Sequence, residues 1–290
     1  MAVSARDTVG RHGAVVFACA LVVVLVSAFW VCDAQPWRWM DSSVNAGLLK
    51  ISLWVLPSIA VVMWAQRVGV RRALDELRLT SRPLAGAALG LAATIPMGMA
   101  ALTTGVVPPT TDFLLGAAVI GPFAEEVLFR GLLLQALVRR GRWSAGWAIL
   151  ASALLFGAAH VVGPGDPTLW AWLVVFSARL PGADPGLVVL AQAVPFAFTD
   201  VLAPIGQVVM PAIAGLVFGW VAVKTDSLWP AIALHVGLNF WSVLAHGPGN
   251  QAQADATSIA QAASLLFAIL LAEVSSGRRG ERRATSVQRS

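Results

Sequence analysis

The chain has 290 residues, of which 58% are hydrophobic and only 12% charged, with a mean hydropathy of +0.76. Ordinary soluble domains carry about 25% charged residues, so this composition excludes a soluble globular protein and points to a polytopic membrane protein. The formal charge of +5 does not indicate nucleic acid, because the arginines fall in short runs between apolar segments, where they orient a chain in a bilayer.

A membrane span needs about 20 apolar residues. On that basis the sequence predicts helices near 14–31, 46–65, 84–106, 113–138, 144–162, 206–223, 228–246 and 258–274. The first reads as a retained helix rather than a signal peptide, since its apolar run is long and no small-x-small cleavage site follows. Cys19 and Cys32 fall within or at the end of that helix and suggest neither a disulfide framework nor a thiolate metal site.

Positive charge then sets the topology. Arg67, Arg71, Arg72, Arg78 and Arg82 lie between helices two and three, Arg139, Arg140 and Arg142 follow helix four, Lys224 follows helix six, and Arg278, Arg279, Arg282 and Arg283 follow helix eight. All fall on one side if Arg6, Arg11 and the N-terminus are cytoplasmic. The expected fold is therefore an all-α, polytopic transmembrane helical bundle of about eight spans in the cell (plasma) membrane, with both termini cytoplasmic. Trp30, Trp37 and Trp39 would mark the outer interface, and Trp64, Trp143, Trp147, Trp220 and Trp229 the inner one.

Three parts follow from this reading. Residues 1–110 hold the N-terminal helices and a basic cytoplasmic linker. Residues 111–246 form a core with an insertion at 163–205, too apolar for a plain loop and broken by six prolines. Residues 247–290 hold the last helix and a basic tail, expected to be unstructured from 277 onward.

Glu125 and Glu126 sit inside the apolar run from Phe113 to Val138. Carboxylates are costly in hydrocarbon, and function is the first hypothesis for them. Three further groups lie inside spans: His160 at the end of Phe156-Gly-Ala-Ala-His160, and His235 with Asn239 four residues apart on one helix face. Arg130 follows Glu126 by four residues, so those two can pair along one side. Glu125 is rotated from Glu126 by about 100° and points elsewhere. This predicts a division of labour, with Glu126 and Arg130 a structural ion pair and Glu125 left for chemistry.

Depth adds a second constraint. Helices four and five fold back around residue 142, so Glu125 and His160 should be level, and His235 should lie about 10 Å inside the cytoplasmic face at 1.5 Å per residue. The three groups are expected at one height in the cytoplasmic half. A carboxylate and an imidazole can jointly activate water, while a second imidazole and an amide can stabilise an oxyanion. Glu and His can instead ligate a divalent metal such as zinc. That alternative lacks an HExxH and would draw its ligands from three helices.

Glu-Glu-x-x-x-Arg (Glu125–Arg130), Phe-x-x-x-His (Phe156–His160) and His-x-x-x-Asn (His235–Asn239) occur in that order. Together they resemble the three motifs of the CPBP family of intramembrane proteases, the CAAX-processing and abortive-infection group. The resemblance covers about residues 110–245, with 163–205 as its main departure. It implies a membrane protease whose Glu125 and His160 activate water, whose His235 and Asn239 stabilise the oxyanion, and whose Glu126 and Arg130 hold the site. It further implies a membrane-anchored peptide or protein substrate in the lipid bilayer, and no nucleic acid. The family is described both as metal-dependent and as glutamate-based without metal. A competing reading is a non-enzymatic immunity or partner-binding protein of the same fold. A proton-coupled transporter is disfavoured, because no inverted repeat matches helix four.

Overall fold

The computed structural model describes residues 16–29, 42–106, 109–160, 202–245 and 251–287. Among these residues the chain is helical with no strand, as expected of a backbone that must satisfy its own hydrogen bonds in lipid. The helices are α1 (Val16–Phe29), α2 (Ser43–Gln66), α3 (Val70–Glu76), α4 (Pro83–Ala93), α5 (Ile95–Thr104) and α6 (residues 111–140). They continue as α7 (Ala145–Ala159), α8 (Leu202–Thr225), α9 (Trp229–Ala245) and α10 (Gln251–Val287).

Helical segments therefore stand at all eight expected places. By length and apolarity α2, α8 from Val208 and α10 over Ala256–Gly277 qualify as crossing a membrane, and α4 with α5 makes a fourth. That fourth span is bent by 46° at Thr94, two residues before Pro96. Proline has no N–H to give the ladder and favours such a break. α1, α7 and α9 are apolar but shorter. The expectation of an unstructured tail is corrected: α10 continues through the basic segment to Val287. Its Arg, Glu and Ala residues are good helix formers, enough to carry the helix past Gly277 and Gly280. The insertion at 163–205 lies outside the described residues except where α8 begins at Leu202, and so do Trp30, Trp37 and Trp39.

The outer faces of the bundle are apolar. Leu84, Leu91, Ile95 and Leu102 on α4 and α5 are exposed, as are Ile259, Leu266 and Leu270 on α10. Contiguous surfaces of this kind are foreign to water-soluble monomers and suit lipid. The chain is a membrane protein on this ground and on its composition.

The basic loops gather at one end. Arg78 pairs with Asp226 at 2.6 Å, Leu228 N donates to Arg78 O, Trp229 Nε1 donates to Leu79 O, and Arg139 pairs with Glu76. The loops after α2, α6 and α8 thus meet each other, as the charge pattern requires. Exposed Trp64, Trp143 and Trp147 ring the same end. A cavity of about 680 Å³ opens there between α1, the end of α2 and the end of α6, and the paired glutamates do not line it.

At the opposite end α2 and α6 are locked in register. Asp112 accepts from Ser43 N at 2.7 Å and Val44 N at 3.3 Å, and from the Ser42 hydroxyl at 2.5 Å. Its carboxylate thereby caps the N-terminus of α2, where backbone N–H groups lack partners and negative charge is favoured. Below the cap the helices nearly touch: a Cβ on Gly116 would lie 2.0 Å from the Ser43 carbonyl carbon, so only glycine permits this approach. The α6 backbone is α-helical over Gly121–Glu126 and widens to π-helical turns over Leu114–Ile120 and Val127–Leu133. π segments inside α-helices are frequent at functional sites.

Candidate active site

Glu125 and Glu126 occupy the end of the α-helical turn of α6 and meet different cations, Lys50 and Arg130, as a rotation of about 100° allows. Glu126 and Arg130 are both fully buried and joined through Arg130 Nη1 and Glu126 Oε1 at 3.0 Å. The guanidinium lies 4.1 Å from the centre of the Phe156 ring, with Phe218 and Phe129 further out. These ring faces supply cation–π attraction to a charge that has lost its water. Gly215 on α8 makes the space, since a Cβ there would come within 2.8 Å of Arg130 Nη2. Arg130 Nε and Nη2 and Glu126 Oε2 have no hydrogen-bond partner among the described residues.

His235 on α9 lies between the two carboxylates. Its Nδ1 is 2.9 Å from Glu126 Oε1, and its Nε2 is 3.9 Å from Glu125 Oε2. His160 caps the C-terminus of α7, its Nδ1 2.8 Å from the Phe156 carbonyl oxygen. Its Nε2 is also 3.9 Å from Glu125 Oε2. The expected common height of Glu125, His160 and His235 is therefore met. Phe156 is buried and packs edge-on against both imidazoles, with centroids at 4.5 and 5.9 Å.

The hydrogen positions follow from the partners. A carbonyl or carboxylate oxygen only accepts, so Nδ1 carries the hydrogen in both rings. Each Nε2 is then a lone-pair acceptor in a neutral ring and a second N–H donor in a protonated one. Separations of 3.9 Å are too long for direct hydrogen bonds and are the kind that a water molecule bridges.

Asn239 stands apart from this cluster. Its Nδ2 donates to Ala117 O at 3.3 Å. The reason is local: Gly121 N donates to Gly116 O in the π-helical pattern, so the next donor in that series would be residue 122. Residue 122 is proline, which has no N–H, and the Asn239 amide serves the carbonyl left over. One of its two N–H groups remains for other use.

Sequence reasoning missed Lys50. Its Nζ lies 2.6 Å from Glu125 Oε1, and both side chains are largely buried. The ammonium sits 5.1 Å from the ring centres of Phe29 and Trp54. A signal existed: one of only two lysines in the chain begins an apolar span with no carboxylate on its own helix, and such a cation must find a partner elsewhere.

The donor set does not fit a resident metal ion. Among the described residues no three His, Cys, Asp or Glu groups converge at ligating distances. Lys50 already places a cation on Glu125, and Arg130 and His235 share the bonded oxygen of Glu126.

No curated protein and no solved structure matches the chain significantly. Residues 107–241 match the family model described as type II CAAX prenyl endopeptidase Rce1-like. That segment contains Glu125, Glu126, Arg130, His160, His235 and Asn239, and the match agrees with the resemblance to the CPBP family, a family of peptidases.

Proposed function

We propose that the protein is an intramembrane endopeptidase that hydrolyses a peptide bond of a membrane-anchored peptide or protein substrate. One observation carries this reading: a buried carboxylate oxygen, Glu125 Oε2, lies 3.9 Å from two imidazole nitrogens on two other helices. Glu125 Oε2 and His160 Nε2 hold a water by its two hydrogens. His160, 36% exposed against 8–10% for His235 and Glu125, marks the side where water and substrate enter.

Water attacks the scissile carbonyl carbon as Glu125 and His160 take its proton. That proton then passes to the amide nitrogen as the C–N bond breaks, giving an amine and an acid. His235 takes part in its doubly protonated form, donating from Nδ1 to Glu126 and from Nε2 to the oxyanion, beside the second N–H of Asn239. Each proton-transfer group contributes about 10²–10⁴-fold, and each oxyanion donor about 10²–10³-fold. Glu126 and Arg130 hold the α6 turn that carries Glu125.

In this reading the chain is a multi-pass plasma-membrane protein with eight spans and cytoplasmic termini. Residues 1–110 and 247–290 flank the core at 111–246, and the site opens to the cytoplasmic leaflet. The test is cleavage of membrane-anchored peptides by the purified protein in detergent, comparing wild type with Glu125→Gln, each with and without a chelator. Cleavage that falls at least 10²-fold in Glu125→Gln and resists the chelator supports the mechanism. Cleavage retained by Glu125→Gln refutes it. Loss to the chelator assigns the water activation to a metal, and no cleavage by wild type favours the partner-binding alternative.

A further inference from the structure

Glu125 is bonded by a residue from outside the family segment. Lys50 belongs to α2, 57 positions before residue 107 where the match begins. Three features make the contact built rather than incidental. The Asp112 cap fixes the register of α2 against α6. The glycine at 116 lets the backbones close, and Gly47, three residues before Lys50, meets Ile120 on the same face. The rings of Phe29 and Trp54 then hold the ammonium, and Trp54 is itself pinned by its Nε1 donating to Leu25 O at 3.0 Å.

We infer that Lys50 is a positioning residue for the proposed hydrolysis: it holds Glu125 Oε1, keeps the carboxylate ionised inside the membrane, and leaves Oε2 as the oxygen that works with His160 and His235. This rests on the proteolytic reading above. A carboxylate alone in hydrocarbon takes up a proton rather than stay charged, and a protonated Glu125 cannot accept one from water. The charged groups around it are Lys50 from α2, His160 from α7 and His235 from α9, with Glu126 and Arg130 behind on α6. Lys50 is the cation bonded to it directly. The N-terminal helices are thus part of the active site, and α1 takes part through Phe29.

The test is the pH profile of kcat/KM for wild type, Lys50→Met and Lys50→Arg in detergent. Lys50→Met keeps the side-chain length without the charge. It should lower kcat/KM at neutral pH by about 10²-fold and move the acid limb up by about 1–3 pH units, the usual effect of losing an adjacent opposite charge. Lys50→Arg should retain the wild-type limb and most of the rate. A Lys50→Met profile with an unmoved acid limb overturns the inference, even where the rate falls, since a merely structural role lowers the rate without shifting the limb. Denaturant midpoints of Lys50→Met, Glu125→Gln and the double variant give a readout that needs no substrate. The double variant should recover most of the midpoint lost in Lys50→Met, and purely additive losses overturn the inference. Inactive wild type with strong coupling in that cycle would defeat the protease reading alone.

Discussion

Arg130→Met removes the guanidinium and keeps an apolar side chain to fill part of its volume. Wild-type Arg130 is fully buried, bonded to a fully buried Glu126 and enclosed by the rings of Phe129, Phe156 and Phe218. Its loss strands an uncompensated carboxylate, a change that costs about 3–5 kcal/mol for a buried pair. The cation–π contacts, worth about 2 kcal/mol or more when desolvated, are part of the same loss. A destabilisation of about 3–5 kcal/mol lowers the folded-to-unfolded ratio roughly 10²–10⁴-fold. Denaturant titration in detergent micelles, followed by tryptophan fluorescence, measures it. The double variant Glu126→Gln/Arg130→Met removes both charges and should recover most of the loss, because a neutral replacement of a buried ion pair is often close to neutral overall. A single variant costing under about 1 kcal/mol, the range of exposed pairs, would refute the reasoning. So would a double variant no more stable than the single one.

Gly116→Ala places a methyl against the Ser43 carbonyl. It should force α2 from α6, destabilise by about 1–3 kcal/mol as overpacking does, and lower activity more than stability alone accounts for, because Lys50 moves with α2; a variant with wild-type stability and rate would show that the helices are not in close contact. Asp112, at the membrane-surface end of α6 outside the apolar span, is held below the usual carboxylate range, chiefly by the Ser42 hydroxyl and then by the Ser43 and Val44 amides. With the folded value depressed, its stabilisation is present above the ordinary carboxylate range and fades as pH falls through the folded value. Unfolding titrations between pH 3 and 7 should therefore show an acid-side loss that Asp112→Asn removes, and equal slopes in both proteins would contradict the cap.

How much of this was legible in one dimension depends on whether a partner lies on the same helix. Helix placement came from apolar run length, and the Glu126–Arg130 pair from a four-residue spacing within one helix. The different directions of Glu125 and Glu126 came from the rotation per residue. Even the shared height of Glu125, His160 and His235 could be counted, because α6 and α7 form a hairpin about a short turn. Each of these rests on the fixed rise and rotation of a helix, which a sequence carries in its numbering.

The tertiary structure decided what crosses between helices that are far apart in the chain. Lys50 and Glu125 are 75 residues apart, and nothing in either segment's spacing gives the register that brings them to 2.6 Å. That register depends on a cap from Asp112 and on the absence of a side chain at Gly116. Asn239, which the proposed mechanism keeps at the oxyanion, also donates to Ala117 O, because a π-helical turn aligns that carbonyl with a proline. Whether α6 takes that wider turn is settled by how its neighbours pack. Charge and periodicity along the chain named the candidate groups except Lys50, while close helix contacts and the backbone's unmet hydrogen bonds chose their partners.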